Sequence, residues 1–153
     1  MPSPHAALAE LGLALPAVVP PVAAYVPAVR SGSYVFTSGQ LPMVGGALAA
    51  TGKIGAEVAP ELGHDLARIC ALNALAAIDA LVGLDAVVRV VKVVGFVASA
   101  ADFVGQPAVM NGASELLGAV FGDAGVHARS AVGVAVLPLN APVEVELVVE
   151  VAG

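Results

Sequence analysis

A chain of 153 residues that is 59% hydrophobic and only 12% charged can bury one substantial core, yet it lacks the polar surface that a monomer of this size needs. Its formal net charge is −6, and six scattered cations argue against a nucleic-acid binder whose affinity would rest on neutralising phosphates. Its single cysteine, Cys70, excludes an internal disulfide and reads as a small buried hydrophobe.

Taken in chain order, residues 5–13 predict a short helix after Ser3-Pro4, and residues 15–27 predict a Pro-rich extended segment wrapping over the body. Pro16, Pro20, Pro21 and Pro27 break the uncharged run 11–29, so it cannot span a membrane as a helix. Residues 25–30 and 34–40 predict strands around Ser31-Gly32-Ser33. The Gly-rich stretch 41–54 is expected to hold a hairpin, with a third strand near 47–51. Residues 61–82 carry Leu62, Leu66, Ile69, Asn73 and Ala76 at helical spacing and end at Gly83. Residues 86–97 are a β-branched strand in which Arg89 and Lys92 differ in parity, which suggests a bulge or an exposed edge. Pro107 opens a second helix running to about residue 121. Residues 127–151 read as a strand pair joined by a Pro-punctuated turn. Asp79, Asp85, Arg89 and Lys92 interrupt the apolar middle, and no basic segment precedes an apolar one as in a signal peptide. The expectation is therefore a soluble, cytoplasmic protein with no membrane contact, hiding apolar surface against copies of itself.

The order βββαβαββ predicts an α+β fold: a six-stranded mixed sheet with two main helices on one face and the other face left for a partner. Two units are expected, an N-terminal helix and Pro-rich extension over residues 1–22 and the main domain over 23–153.

Period-2 geometry places Arg129, Ala131, Gly133 and Ala135 on one face of the penultimate strand, with Ser130, Val132, Val134 and Val136 on a face that reads as core. An arginine among small residues suggests room for a small anion, which the guanidinium fork would grip by its carboxylate. An ion pair with one of the acidic residues is the alternative. Glu144 shares a face with Glu146 and Glu150, opposite Val143, Val145, Leu147, Val149 and Val151. It is either part of a solvated polar face or a carboxylate that orients a water. Ser38 and Gly39 close a strand and could offer a hydroxyl and backbone N–H groups to a ligand. Tyr25 and Asn111 could line the same pocket, and His127 could neighbour it. His5, His64 and His127 are too dispersed for a metal motif.

Three blocks resemble the Rid (reactive intermediate deaminase, YjgF-type) family: YVFTSGQLP at 34–42, GLDAVVRVVKVVGFV at 83–97 and ARSAVGVAVLPLNAPVEVELVVEV at 128–151. The resemblance covers roughly residues 25–151, and the longer N-terminus resembles a less-characterised branch. It implies a chorismate-mutase-like fold and a homotrimer whose sheets form a central barrel with three clefts between subunits. It also implies hydrolysis of enamine or imine acids such as 2-aminoacrylate to 2-keto acids and ammonia, without metal or organic cofactor. Arg129 matches the family's carboxylate-gripping arginine, and Glu144 its water-positioning glutamate. Tyr25, Ser38, Gly39 and Asn111 match cleft positions. Ala131 stands where cysteine is frequent, and His127 where proline is common. Two other functions compete with the deaminase: a non-catalytic trimer that binds small carboxylates or keto acids, and, ranked last for an acidic chain, a ribonuclease or translation inhibitor.

Overall fold

The structure, a computed structural model, describes residues 2–21 and 23–153. Met1 and Val22, on which both ends of the expected extension fall, lie outside the described residues. Ser3 caps α1 (Pro4–Glu10) by accepting the Ala6 N–H at 3.1 Å, and Pro4 occupies a first-turn position that needs no donor. α1 buries Ala7 and Leu8 and packs mainly on a later helix. Its His5 pairs with Asp79 at 3.1 Å.

β1 (Ala28–Ser31) and β2 (Tyr34–Thr37) form an antiparallel hairpin turning at Gly32, whose φ of 60° suits a residue without a side chain. β1 starts later than expected because the carbonyls of Val26 and Pro27 bond Ser38 instead of a strand partner. β3 (Met43–Val44) and β4 (Ala47–Leu48) then make a separate two-stranded ribbon turning on Gly45 and Gly46, both at positive φ. The expected third strand therefore belongs to this ribbon, and among the described residues the main sheet has five strands, not six. Asn73, 1% exposed, pins the ribbon to the helix layer by donating to the carbonyls of Leu41 and Met43, each at 3.1 Å.

α2 (Pro60–Val82) starts on proline, carries Glu61 at its positive end and stops at Gly83, with φ 82°. The Leu66, Cys70, Ala74 and Ile78 side of α2 is buried to the last percent or two. β5 (Val87–Ala98), α3 (Gln106–Phe121), β6 (Ala128–Val134) and β7 (Val143–Val151) complete the domain. Sheet order is β1-β2-β7-β5-β6, with β6 parallel to β5 and every other pair antiparallel. The expected C-terminal strand pair is thus divided: β5 lies between β6 and β7. α3 is the crossover that the parallel β5–β6 pairing requires. The register of β5 against β7 shifts between Val90 and Lys92, which is the irregularity suggested by the parity of Arg89 and Lys92.

α2 and α3 pack side by side, closest at Gly112, where a β-carbon would overlap the His64 carbonyl. They seal one sheet face. On β7, Val143, Val145, Leu147, Val149 and Val151 are all buried, each contributing at most about 1.5–3 kcal/mol. The opposite face carries Tyr34, Phe36, Val132, Glu144, Glu146 and Glu150 and is uncovered in the single chain.

The two faces of β6 are the reverse of the expectation. Arg129, Ala131 and Gly133 pair with Val93, Gly95 and Val97 on the helix side, and Val132 pairs with half-buried Phe96 on the open side. Small residues stand beside the arginine because α3 presses on them. A β-carbon on Gly133 would meet the Gln106 amide at 2.8 Å, and one on Gly95 would overlap the Met110 sulfur.

Candidate functional site

Two groups of the expected site residues form, on different sides of the sheet. The first joins β6 to α3. Arg129 donates from Nη1 to Asn111 Oδ1 at 2.9 Å and to Ser114 Oγ at 3.2 Å, and from Nη2 to the Pro107 carbonyl at 3.4 Å. Asn111 and Ser114 lie three residues apart and so share one face of α3. His127 extends the chain of bonds, with Nε2 2.9 Å from Ser114 Oγ and Nδ1 2.6 Å from the Gly125 carbonyl. A carbonyl only accepts, so Nδ1 donates to it, and in the neutral ring Nε2 accepts from the Ser114 hydroxyl. That hydroxyl in turn accepts from Arg129. The whole chain of bonds fixes the guanidinium against the start of α3. Ser114 was not singled out in the sequence; its spacing from Asn111 was the available signal.

Every partner of the Arg129 guanidinium is a neutral acceptor. Among the described residues no carboxylate lies within ion-pair distance of it; the ion pairs present there all involve histidines. The surface ion pair entertained from sequence is therefore not formed within the chain. Ala131 shares Arg129's face but packs partly buried against the core. It contributes packing, not an open pocket wall.

The second group surrounds the end of β2. Phe36 pairs with Val148 and Gln40 with Val145, so four steps along one chain match three along the other. The surplus residue makes a bulge at Ser38-Gly39. Thr37 Oγ1 fills the gap in the ladder by accepting the Leu147 N–H at 2.9 Å. Ser38 is committed to structure: its hydroxyl donates to the Val26 carbonyl at 2.6 Å and its N–H to that of Pro27 at 2.8 Å. These bonds hold the segment carrying Tyr25. Gly39 is the residue of this turn brought against Glu144, and a β-carbon there would stand 2.6 Å from Oε2. Burial holds the Glu144 carboxyl above the usual carboxylate range, and neighbouring Glu146 adds to the effect. Tyr25, Gly39 and Gln40 also line a small pocket.

Arg129 and Glu144 do not meet within one chain. Glu144 is in register with Phe96 and Val132, while Arg129 is in register with Val93 on the opposite sheet face.

A family model described as "YjgF/chorismate mutase-like, putative endoribonuclease" matches residues 5–151. The chain belongs to this family. Within it, the chain is 47% identical over 147 residues to Protein TCP17 of Trypanosoma cruzi, covering 94% of this chain and 91% of that one. The crystal structure of an Agrobacterium tumefaciens protein of unknown function is 44% identical, with TM-score 0.91, covering 97% of this chain and 92% of that one. Escherichia coli TdcF, crystallised with bound serine, is 25% identical, with TM-score 0.59, covering 88% and 94%. The YjgF/chorismate-mutase-like architecture is thus shared by an α+β sheet with helices on one face, and this chain and the Agrobacterium protein correspond along nearly their whole lengths.

Proposed function

We propose that the protein hydrolyses small enamine or imine acids of the 2-aminoacrylate type to 2-keto acids and ammonia. The carrying observation is the guanidinium of Arg129, fixed by neutral acceptors and left with its charge uncompensated beside the start of α3. A planar carboxylate satisfies that charge best, because the fork offers it two parallel donors. The serine bound to TdcF is a small amino acid with such a carboxylate.

In this reading Arg129 of one copy and Glu144 of another face each other across a cleft between subunits of a homotrimer, since one chain holds them on opposite sheet faces. The Tyr34, Phe36 and Val132 surface is the apolar area such an assembly would cover. The enamine tautomerises to the imine, and a water held by Glu144 adds to the C=N carbon. Glu144 takes one proton from that water as its oxygen bonds to the carbon and passes it to the nitrogen, giving a carbinolamine. It then takes the hydroxyl proton and delivers it to the amino group as the C–N bond breaks, releasing ammonia and the 2-keto acid. A carboxyl whose proton affinity is raised by burial suits both transfers better than a fully solvated one. Fixing the carboxylate and one water supplies most of the help, because the C=N bond already reacts with water. Asn111, Ser114 and His127 position the arginine, while Gly39 gives the carboxylate its room and offers a backbone N–H.

The test is hydrolysis of 2-iminopropionate made in situ by an amino-acid oxidase, with semicarbazide competing for it. Faster pyruvate release, abolished in Arg129→Ala with the assembly intact, is the expected outcome; full activity in that variant refutes the reading. The alternative, a binding module without turnover, draws on the same uncompensated arginine. It would show Arg129-dependent calorimetric binding of keto acids and no hydrolysis.

A further inference from the structure

After α1, the N-terminal extension follows the C-terminal part of α2 toward the second group of site residues. Leu13 lies beside Ile69 and Leu72, and Val18 beside Ala77 and Leu81. Val19, Pro20 and Pro21 then face Tyr25, Gln40 and Met43 across a partly enclosed space of ≈ 40 Å³. That space holds about three groups of water or methyl size. Its wall is mostly aliphatic, and Gly39 forms part of it. The same glycine abuts the Glu144 carboxylate, so the pocket and the proposed water position share a boundary. Prolines fix φ along the wall, which makes it a preset shape.

We propose that the extension builds the substrate side-chain pocket of this site, and that the pocket selects 2-imino acids bearing a two- or three-carbon aliphatic side chain over the one-carbon 2-iminopropionate and over aromatic ones. This rests on the deaminase reading and adds the substrate class to it. The short aliphatic group fills the space between Val19 and Met43, and the reacting carbon then lies toward Gly39 and Glu144. A benzyl group exceeds the volume, and a methyl group leaves most of it empty. Each methylene accommodated in an apolar pocket changes kcat/KM by roughly tenfold or more.

The experiment compares kcat/KM for imines generated by an amino-acid oxidase from alanine, 2-aminobutyrate, valine and phenylalanine. The full-length protein is used, because Leu8, Leu13 and Leu15 pack into the core and truncation would disturb the fold. The imines of 2-aminobutyrate and valine should exceed that of alanine by about tenfold, with phenylalanine's lowest. Val19→Phe, which fills the space, should collapse the valine-to-alanine ratio by about tenfold, and Val19→Ala should move the optimum toward longer chains. A flat profile, or ratios unmoved by both variants, overturns the proposal. Should no imine be hydrolysed, the deaminase reading fails by itself, and calorimetry with 3-methyl-2-oxobutanoate against pyruvate decides the pocket. A preference for the branched acid that Val19→Phe removes supports the pocket; equal affinities for the two acids overturn it.

Discussion

The two faces of the five-stranded sheet are built from the same strands to opposite specifications. On the helix side every β7 residue is aliphatic and buried, and Gly95 and Gly133 on the neighbouring strands stand where α3 side chains come closest. On the open side the same strand alternates in Glu144, Glu146 and Glu150, among Tyr34, Phe36 and Val132. The sealed face carries folding energy and fixes Arg129 from above. The open face carries Glu144 and is uncovered in the single chain. The difference teaches that the sealed face is purely apolar along β7, while the open face of the sheet mixes exposed apolar residues with Glu144, Glu146, Glu150, Arg89 and Lys92.

The strongest challenge to this division is Gly112→Ala. The added methyl would overlap the His64 carbonyl, a backbone atom that can move only if α2 and α3 part. A loss of about 3 kcal/mol is expected, lowering Tm by roughly 6–12 °C in a thermal melt. Arg129→Lys should come next. It keeps the charge but loses the fork and the bonds to Asn111 and Ser114, so kcat/KM for imine hydrolysis should fall about thirtyfold, roughly 2 kcal/mol, with Tm nearly unchanged. Gly39→Ala sharpens the contrast from the other face. Its methyl meets only the movable end of Glu144, so a rate loss of about tenfold should accompany a small change in Tm. Val132→Glu places a fourth glutamate on the open face, beside Glu144, Glu146 and Glu150; sedimentation should show dissociation into folded protomers if copies of the chain cover that face.

The smallest effect concerns pH. Burial raises the Glu144 pKa in the folded chain, so folding favours the protonated carboxyl. Its cost is absent below the unfolded carboxylate pKa and complete above the raised folded value. Stability should therefore increase as pH falls through the window just above the ordinary carboxylate range. Glu144→Gln should flatten that slope and modestly raise neutral-pH stability in denaturant titrations.

Strong local periodicity made α2 and β7 legible in the sequence, and Gly83 marked the end of α2 and Pro107 the start of α3. The neighbourhood of Arg129 and Asn111 was legible through resemblance. The faces of β6 were not, because a strand with apolar residues on both sides states an alternation without saying which side faces the helices. β5 entering between β6 and β7 was equally hidden, since pairing between distant segments leaves no local signal. Asn73 sat in the apolar stripe of α2 as an apparent exception; its amide turned out to be the anchor of the β3–β4 ribbon.

The position of β7 between β2 and β5 has a consequence for synthesis. β7 follows every other strand in the chain, so the nascent polypeptide carries two unjoined ribbons, β1–β2 and β5–β6, each with a bare backbone edge. At about 5–20 residues per second, β2 waits roughly 5–20 seconds for its neighbour. Until then neither ribbon has the partner that completes it, and a chaperone able to shield strand edges has its longest opportunity to act.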